Sequence, residues 1–334
     1  MQAGKLPLDM LAGLLDQIEV KDPRVVLGPR AGEDAALIDF GDRYLVAKTD
    51  PITFATDLIG WYVIQVNAND LAVMGATPRW LMVTLLLPEG TSADSVAGIF
   101  QQLREACAAL NITLVGGHTE ITYGLPRPVA VGALLGEADK AAVVLTSGVQ
   151  AGDSIVLTKG VAIEGTAILA REAPDALAEA GVDVGVIERS RELLFSPGIS
   201  VVRDALVVRS AATVHAMHDP TEGGVATGLL EMATAAGVGL AVDGDRIPIV
   251  PECAEVCRAL GLDPLGLIAS GSLLAAVAPQ DGPRVVAALA EAGIAAAEIG
   301  RATDAGEGLK LSDPDGGRDL PRFDRDELAR YFGR

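Results

Sequence analysis

Four acidic residues stand where short apolar runs begin or end. Asp34 closes the loop Gly28-Pro29-Arg30-Ala31-Gly32-Glu33-Asp34, and Asp50 ends the run Tyr44 to Thr49, two residues after Lys48. Asp70 lies in Asn67-Ala68-Asn69-Asp70 inside an otherwise apolar helix, and Glu120 follows a glycine pair in Gly116-Gly117-His118-Thr119-Glu120. Brought together, such carboxylates repel by about 4 kcal/mol per close pair at an effective dielectric of about 20. Cations must hold them. All-oxygen donors select Mg2+ over zinc, and Mg2+ keeps waters and bridges to phosphate oxygens. The N–H groups around Gly28 and Gly32, with the Arg30 side chain, suit a phosphate. Each acid alone reads equally well as a cap or a solvated turn residue, and the glycine loop alone more often as a surface turn. The four together point to a metal-nucleotide site.

Apolar periodicity supplies the elements that must position these residues. Ala35 to Phe40 and Tyr44 to Thr49 read as strands joined at Gly41-Asp42, and Ile59 to Met74 as a helix closed by Gly75. Arg79 to Leu87 is a further apolar run. Ser92 to Leu110 is an amphipathic helix, with Ser92 as N-cap and Val96, Ile99, Phe100, Leu103, Cys107 and Leu110 at three- and four-residue steps. Ile112 to Val115 and Val129 to Leu135 complete the strands, with Gly116 to Arg127 read as a loop. After the small-residue segment Ser147 to Asp153 the logic repeats. Strands are expected at Ser154 to Leu157, Gly239 to Val242 and Ser272 to Val277, and helices at Ile163 to Glu172, Val225 to Ala236 and Gly282 to Ala292. The first strands follow one another without a crossover helix, which makes the fold class α+β in two domains rather than doubly wound. The expected division is 1–148, 149–310 and an extension 311–334.

Composition excludes several classes of function. The 334 residues are 50% hydrophobic, so the chain buries a core and is not disordered. Asp and Glu number 45 against 26 Lys and Arg, a net charge of -19, and only six residues are lysine, which argues against nucleic acid as a partner. The longest uncharged run, Pro264 to Gln280, is 17 residues long and broken by Gly and Pro, too short to span a membrane. Three cysteines and the lack of a signal-like N-terminus fit a cytoplasmic protein.

The ordered motifs resemble those of a known family. Gly32-Glu33-Asp34-Ala35-Ala36, Thr49-Asp50-Pro51, Asn69 to Ala76, Gly116 to Glu120 and His218-Asp219-Pro220-Thr221-Glu222-Gly223-Gly224 occur in the order seen in the aminoimidazole ribonucleotide (AIR) synthetase superfamily. The chain looks closest to the branch of the hydrogenase-maturation protein HypE and is more distantly similar to thiamine-monophosphate kinase. The resemblance implies an N-terminal domain that dimerises through its sheet and binds Mg-ATP, and a C-terminal α+β domain. It makes Asp34, Asp50 and Asp70 metal ligands, with Glu120 beside the same phosphates, and Gly28, Arg30, Gly32, Lys48, Asn69, Gly117 and Thr119 nucleotide contacts. His118, Asp219 and His218 become the residues that orient or deprotonate an acceptor.

The chain departs from that pattern in three places. His118 stands where the maturation and kinase branches carry Asp, His218 where the maturation proteins carry Arg, and Glu222 also replaces a basic residue. HypE proteins finish in a tail whose terminal cysteine receives a carbamoyl group, whereas the last cysteine here is Cys257. Carbamoyl dehydration is therefore not expected. The expected function is phosphorylation of an oxygen of an unidentified small or protein-borne acceptor, in a homodimer. The alternatives are a non-catalytic nucleotide-binding accessory to metallocentre maturation partners, or a kinase of the thiamine-phosphate type. Elsewhere, Cys253 and Cys257 share a helical face and read as buried small hydrophobes, His215 as a core residue, and Trp61 and Trp80 as packed rings. Lys159-Gly160 reads as the approach to a helix.

Overall fold

The computed structural model describes residues 6, 8–30, 32–53, 57–313 and 316–333. Ala31 of the glycine loop and the terminal Arg334 lie outside them. The contacts divide the chain into two compact units. The N-terminal unit is Val20–Gly28 with Asp34–Val143, and the C-terminal unit is Val144–Arg334 together with Met1–Glu19 and Pro29–Glu33. The glycine loop and the first helix, α1 (Leu8–Leu15), thus group with the C-terminal unit, and so do residues beyond 310 that were expected as an extension.

The N-terminal unit is one six-stranded sheet with two helices. Its strands are β1 (Val25–Leu27), β2 (Ala36–Asp39), β3 (Arg43–Ile52), β4 (Thr77–Pro88), β5 (Thr113–Thr122) and β6 (Val129–Asp139), in the order β1-β2-β3-β6-β4-β5. Only β4 and β5 run parallel, which requires a crossover between them; α3 (Ala93–Ala109) supplies it. Ser92 caps α3 by accepting from Ser95 N at 3.1 Å. The other helix, α2 (Ile59–Val73), packs on α3, β3, β6 and β4. It is buried nearly all round, which explains why its sequence lacks a polar face. Gly75, at a φ of 78°, ends it as expected.

The loop expected from Gly116 onward is instead the continuation of β5. Gly117, at a φ of 152°, approaches β4 so closely that a Cβ would stand 1.9 Å from the Val83 carbonyl oxygen. The glycine pair carries the strand past a register shift in β4–β5 rather than ending it. Buried Leu81, Val83, Leu85 and Leu87 point from β4 to the helices, while Trp80 and Met82 on the other face are 37% and 43% exposed. Trp80 is therefore a surface ring and not the packed one expected; Trp61 stacks edge-on against Tyr62.

The C-terminal unit is built on a seven-stranded sheet. In chain order its elements are β7 (Ser154–Thr158), α4 (Ile163–Glu172), α5 (Pro174–Glu179), α6 (Val184–Glu192), α7 (Val202–Ala211), β8 (Val214–His218), α8 (Gly224–Ala236) and β9 (Gly239–Asp243). There follow α9 (Pro251–Leu260), β10 (Leu274–Val277), α10 (Gly282–Glu291), β11 (Ala296–Thr303), β12 (Leu309–Asp313), β13 (Gly316–Asp319) and α11 (Glu327–Phe332). The strand order is β13-β12-β9-β11-β7-β10-β8, with β12–β9 the parallel pair. Two mixed sheets make the protein α+β, as expected. No helix of the described residues is long and apolar enough to cross a membrane.

Candidate functional site

Alternation along β3 places Lys48 and Asp50 on the same side as buried Val46 and Ile52, facing α2. On α2, Asn67 and Asp70 meet them. Lys48 Nζ lies 3.3 Å from Asp70 Oδ1 and 3.6 Å from Asp50 Oδ2. Asp34, at the entry to β2, is buried, as is Asp70, and the two bring carboxylate oxygens within 4.8 Å of each other. Like charges at that distance repel by about 3 to 4 kcal/mol at an effective dielectric of about 20. Lys48 supplies one positive charge beside Asp50 and Asp70. The three carboxylates and Lys48 sum to a formal charge of -2, which one divalent cation would neutralise, and carboxylate oxygens are donors of the kind Mg2+ takes.

Asn67 is a residue the sequence reading did not assign to the site. Its Oδ1 accepts from Asp50 N at 3.0 Å and its Nδ2 donates to Val63 O at 2.8 Å. The amide thus fixes the β3 backbone at the residue that carries the carboxylate. Gly132, opposite Asp50 on β6, makes room for it, since a Cβ there would stand 2.5 Å from Asn67 Nδ2. The signal was present as an amide in an apolar helix one turn before Asp70. Asn69, assigned to the nucleotide, is fully buried in α2.

Glu120 is not brought to the other acids within one chain. Asp50 pairs with Gly132, Gly132 with Val83 and Val83 with Gly117, so three strand spacings, about 14 Å, separate Asp50 from the glycine pair. His118, Glu120 and Thr122 alternate onto the face away from the helices. His118 Nε2 is 2.9 Å from Glu120 Oε2, and Thr122 Oγ1 donates to Glu120 Oε1 at 2.9 Å, which together hold the Glu120 carboxyl below its ordinary value. Beside them a pocket of about 330 Å3 opens between β4, β5 and α3. Leu85, Phe100, Leu103 and Leu114 form its apolar walls and Gly117, His118 and Thr119 its rim. That volume is at the small end for organic ligands, roughly 300–1,000 Å3.

The remaining assigned residues belong to the C-terminal unit, apart from Gly28. Glu33 anchors the glycine loop there by accepting from Thr146 N at 3.1 Å and Ser147 N at 3.3 Å. Gly32 sits at a φ of 86° against Ala235, leaving Arg30 exposed. His218 ends β8, buried, with Nε2 3.0 Å from Glu231 Oε2 of α8, and Asp219 follows it, also buried. Lys159 is consumed within the unit. Its Nζ donates to Ser200 O at 2.6 Å and Gly198 O at 3.2 Å, 3.3 Å from Asp204, and burial lowers its pKa despite that carboxylate. His215 is satisfied by Asp153 at 2.8 Å, and Cys253 and Cys257 are buried with sulfurs 3.9 Å apart.

Two family models together match most of the chain. The AIR synthase related protein N-terminal domain covers residues 32–138 and the C-terminal domain of the same family covers residues 150–311. The chain belongs to the AIR synthase related protein family. A Methanocaldococcus jannaschii protein named for hydrogenase expression/formation is 31% identical over 284 residues, 83% of this chain and 81% of that one. The thiamine-monophosphate kinase of Halobacterium salinarum is 32% identical over 299 residues, 84% of this chain and 91% of its own. Among solved structures, Escherichia coli HypE superposes with a TM-score of 0.76 at 25% identity, over 97% of this chain and 98% of its own. A HypE in complex with ATP superposes with a TM-score of 0.69 at 22% identity, over 96% and 91%, a likeness of fold. The AIR synthase related fold is thus shared across both units.

Proposed function

We propose that this AIR synthase related protein binds Mg-ATP and phosphorylates an oxygen of an acceptor, turning it into a leaving group. The observation that carries the reading is the chain of close groups in which buried Asp70 lies beside both Asp34 and Lys48, and Lys48 also pairs with half-buried Asp50. Two relatives support it: one is named a thiamine-monophosphate kinase, and a protein of the same fold was solved with ATP. Bound Mg2+ would neutralise charge on the phosphates as the phosphoryl group transfers. Asp34, Asp50 and Asp70 would hold the ion, with the Lys48 ammonium offsetting part of the charge of Asp50 and Asp70. Asn69, Gly28, Gly32 and Arg30 serve the phosphates. Gly117, Thr119 and Glu120 serve the nucleotide, and His118, Asp219 and His218 orient or deprotonate the acceptor. Incubation with ATP, Mg2+ and a panel of small amides, carboxylates and phosphate monoesters should release ADP with at least one of them. ATP bound without turnover under every condition would refute the enzymatic reading.

We further propose that the chain works as a homodimer joined through the sheet face that exposes Trp80 and Met82. Sedimentation should show a dimer, and Met82→Lys should shift it to monomer. The second reading, a nucleotide-binding accessory to hydrogenase maturation, is favoured by one observation: Cys107, Cys253 and Cys257 are all buried, so these thiols cannot carry a carbamoyl group.

A further inference from the structure

The C-terminal unit holds a second group of acids that the proposed reaction does not use. Glu164 opens α4, Glu222 precedes the glycines at the head of α8, and Asp326 and Glu327 open α11. Asp326 caps two helices at once. Its Oδ1 accepts from Leu328 N at 2.7 Å in α11, and its Oδ2 accepts from Gly223 N at 2.6 Å at the head of α8. The seating continues along the segment. Phe323 covers Gly266 so tightly that a Cβ there would stand 2.3 Å from the ring, and Arg330 donates to Gly261 O at 2.8 Å. Residues 320–332 are therefore tied down at three points around the start of α8.

Behind Asp326 the electrostatics are unusual. Glu164 is only 4% exposed, and it takes hydrogen bonds from the hydroxyl and N–H of Ser270, yet its Oε2 has no partner among the described residues. Burial pushes the Glu164 carboxyl up to about 7 against the pull of Ser270, and Asp326 and Glu222 add like charge. Burial likewise pushes Asp326 up to about 7, with Glu222 and Glu327 adding to it, against the two N–H donors. The Arg330 guanidinium pairs with Glu327 of its own helix. Among the described residues no cation pairs with Glu164 or Asp326, and burial disfavours the charged form of both.

We propose that residues 320–332 form a proton-held strap, in which neutral carboxyls at Glu164 and Asp326 keep the segment seated on Gly223 and their ionisation releases it from the head of α8. The sign follows from linkage: groups raised in the seated state bind protons that the released state gives up, so seating weakens as pH climbs from the ordinary carboxylate range to about 7 and stays weak above it. Gly223 lies four residues after Asp219, so release would open the acceptor side of the site; this consequence rests on the function proposed above, whereas the strap does not. Hydrogen exchange on the whole chain, corrected for intrinsic rates, tests it. Protection of the Gly223 amide and of α11 should fall at least about tenfold between pH about 5 and about 8, and Glu164→Gln, neutral at every pH, should flatten that dependence. Protection that does not change with pH in the wild-type chain, or an unchanged pH dependence in Glu164→Gln, would overturn the strap. Either result leaves Mg-ATP binding untouched, so the two proposals fail separately.

Discussion

The two units bury carboxylates by opposite means. In the N-terminal unit, Asp50 and Asp70 lie within ion-pair distance of the Lys48 ammonium, the set proposed above to hold Mg2+. In the C-terminal unit, Glu164 and Asp326 have backbone and hydroxyl donors but no cation partner among the described residues, and burial raises the pKa of both. A buried acid with a fixed cation answers to metals, whereas one without answers to pH. On the two proposals above, one region serves metal and phosphate and the other responds to protons.

The sharpest way to break the comparison is to remove the fixed cation. Lys48→Met should cost about 3 kcal/mol in denaturant unfolding without metal, because Asp70 then faces Asp34 and Asp50 uncompensated, and added Mg2+ should restore much of it. No loss, or no rescue, would mean the acids are not a coupled set. Next in size is the proton-held region. Glu164→Gln should remove about 2 kcal/mol of the stability change that wild-type protein shows between pH about 4 and about 7, where stability falls as pH rises, while leaving that at higher pH little altered. Asn67→Ala should cost about 1 to 2 kcal/mol and loosen metal binding, since Asp50 N and Val63 O each lose a partner. Glu120→Gln, at an exposed pair with His118, should leave the melting temperature unchanged, and a large drop there would show that β5 carries more of the fold than its exposure suggests.

Most elements were legible because their periodicity was unambiguous: α3 was marked by its apolar steps and its Ser92 cap, and the end of α2 by Gly75. The misread element was β5. A glycine pair is an ordinary strand ending, and only the register shift against β4 makes Gly117 a crossing point, which is a property of the partner strand. The acids of the N-terminal unit could be listed from their positions at element ends, yet which of them meet depends on strand order. The insertion of β6 between β3 and β4 places Glu120 far from Asp50, and nothing local encodes that insertion. The anchoring of the glycine loop by Glu33 to Thr146 and Ser147, more than 110 positions away in sequence, was likewise invisible. The neutral acids were missed because burial, not residue type, defines them.

Calorimetric titration of ATP, with and without Mg2+, into wild-type, Asp34→Asn and Asp70→Asn protein tests the central claim most directly. Wild-type protein should bind ATP strongly only with Mg2+, and each variant should lose at least about 100-fold in affinity, roughly 2.7 kcal/mol, while keeping its fold by circular dichroism. Equal affinity in all three proteins, or binding indifferent to Mg2+, would contradict it.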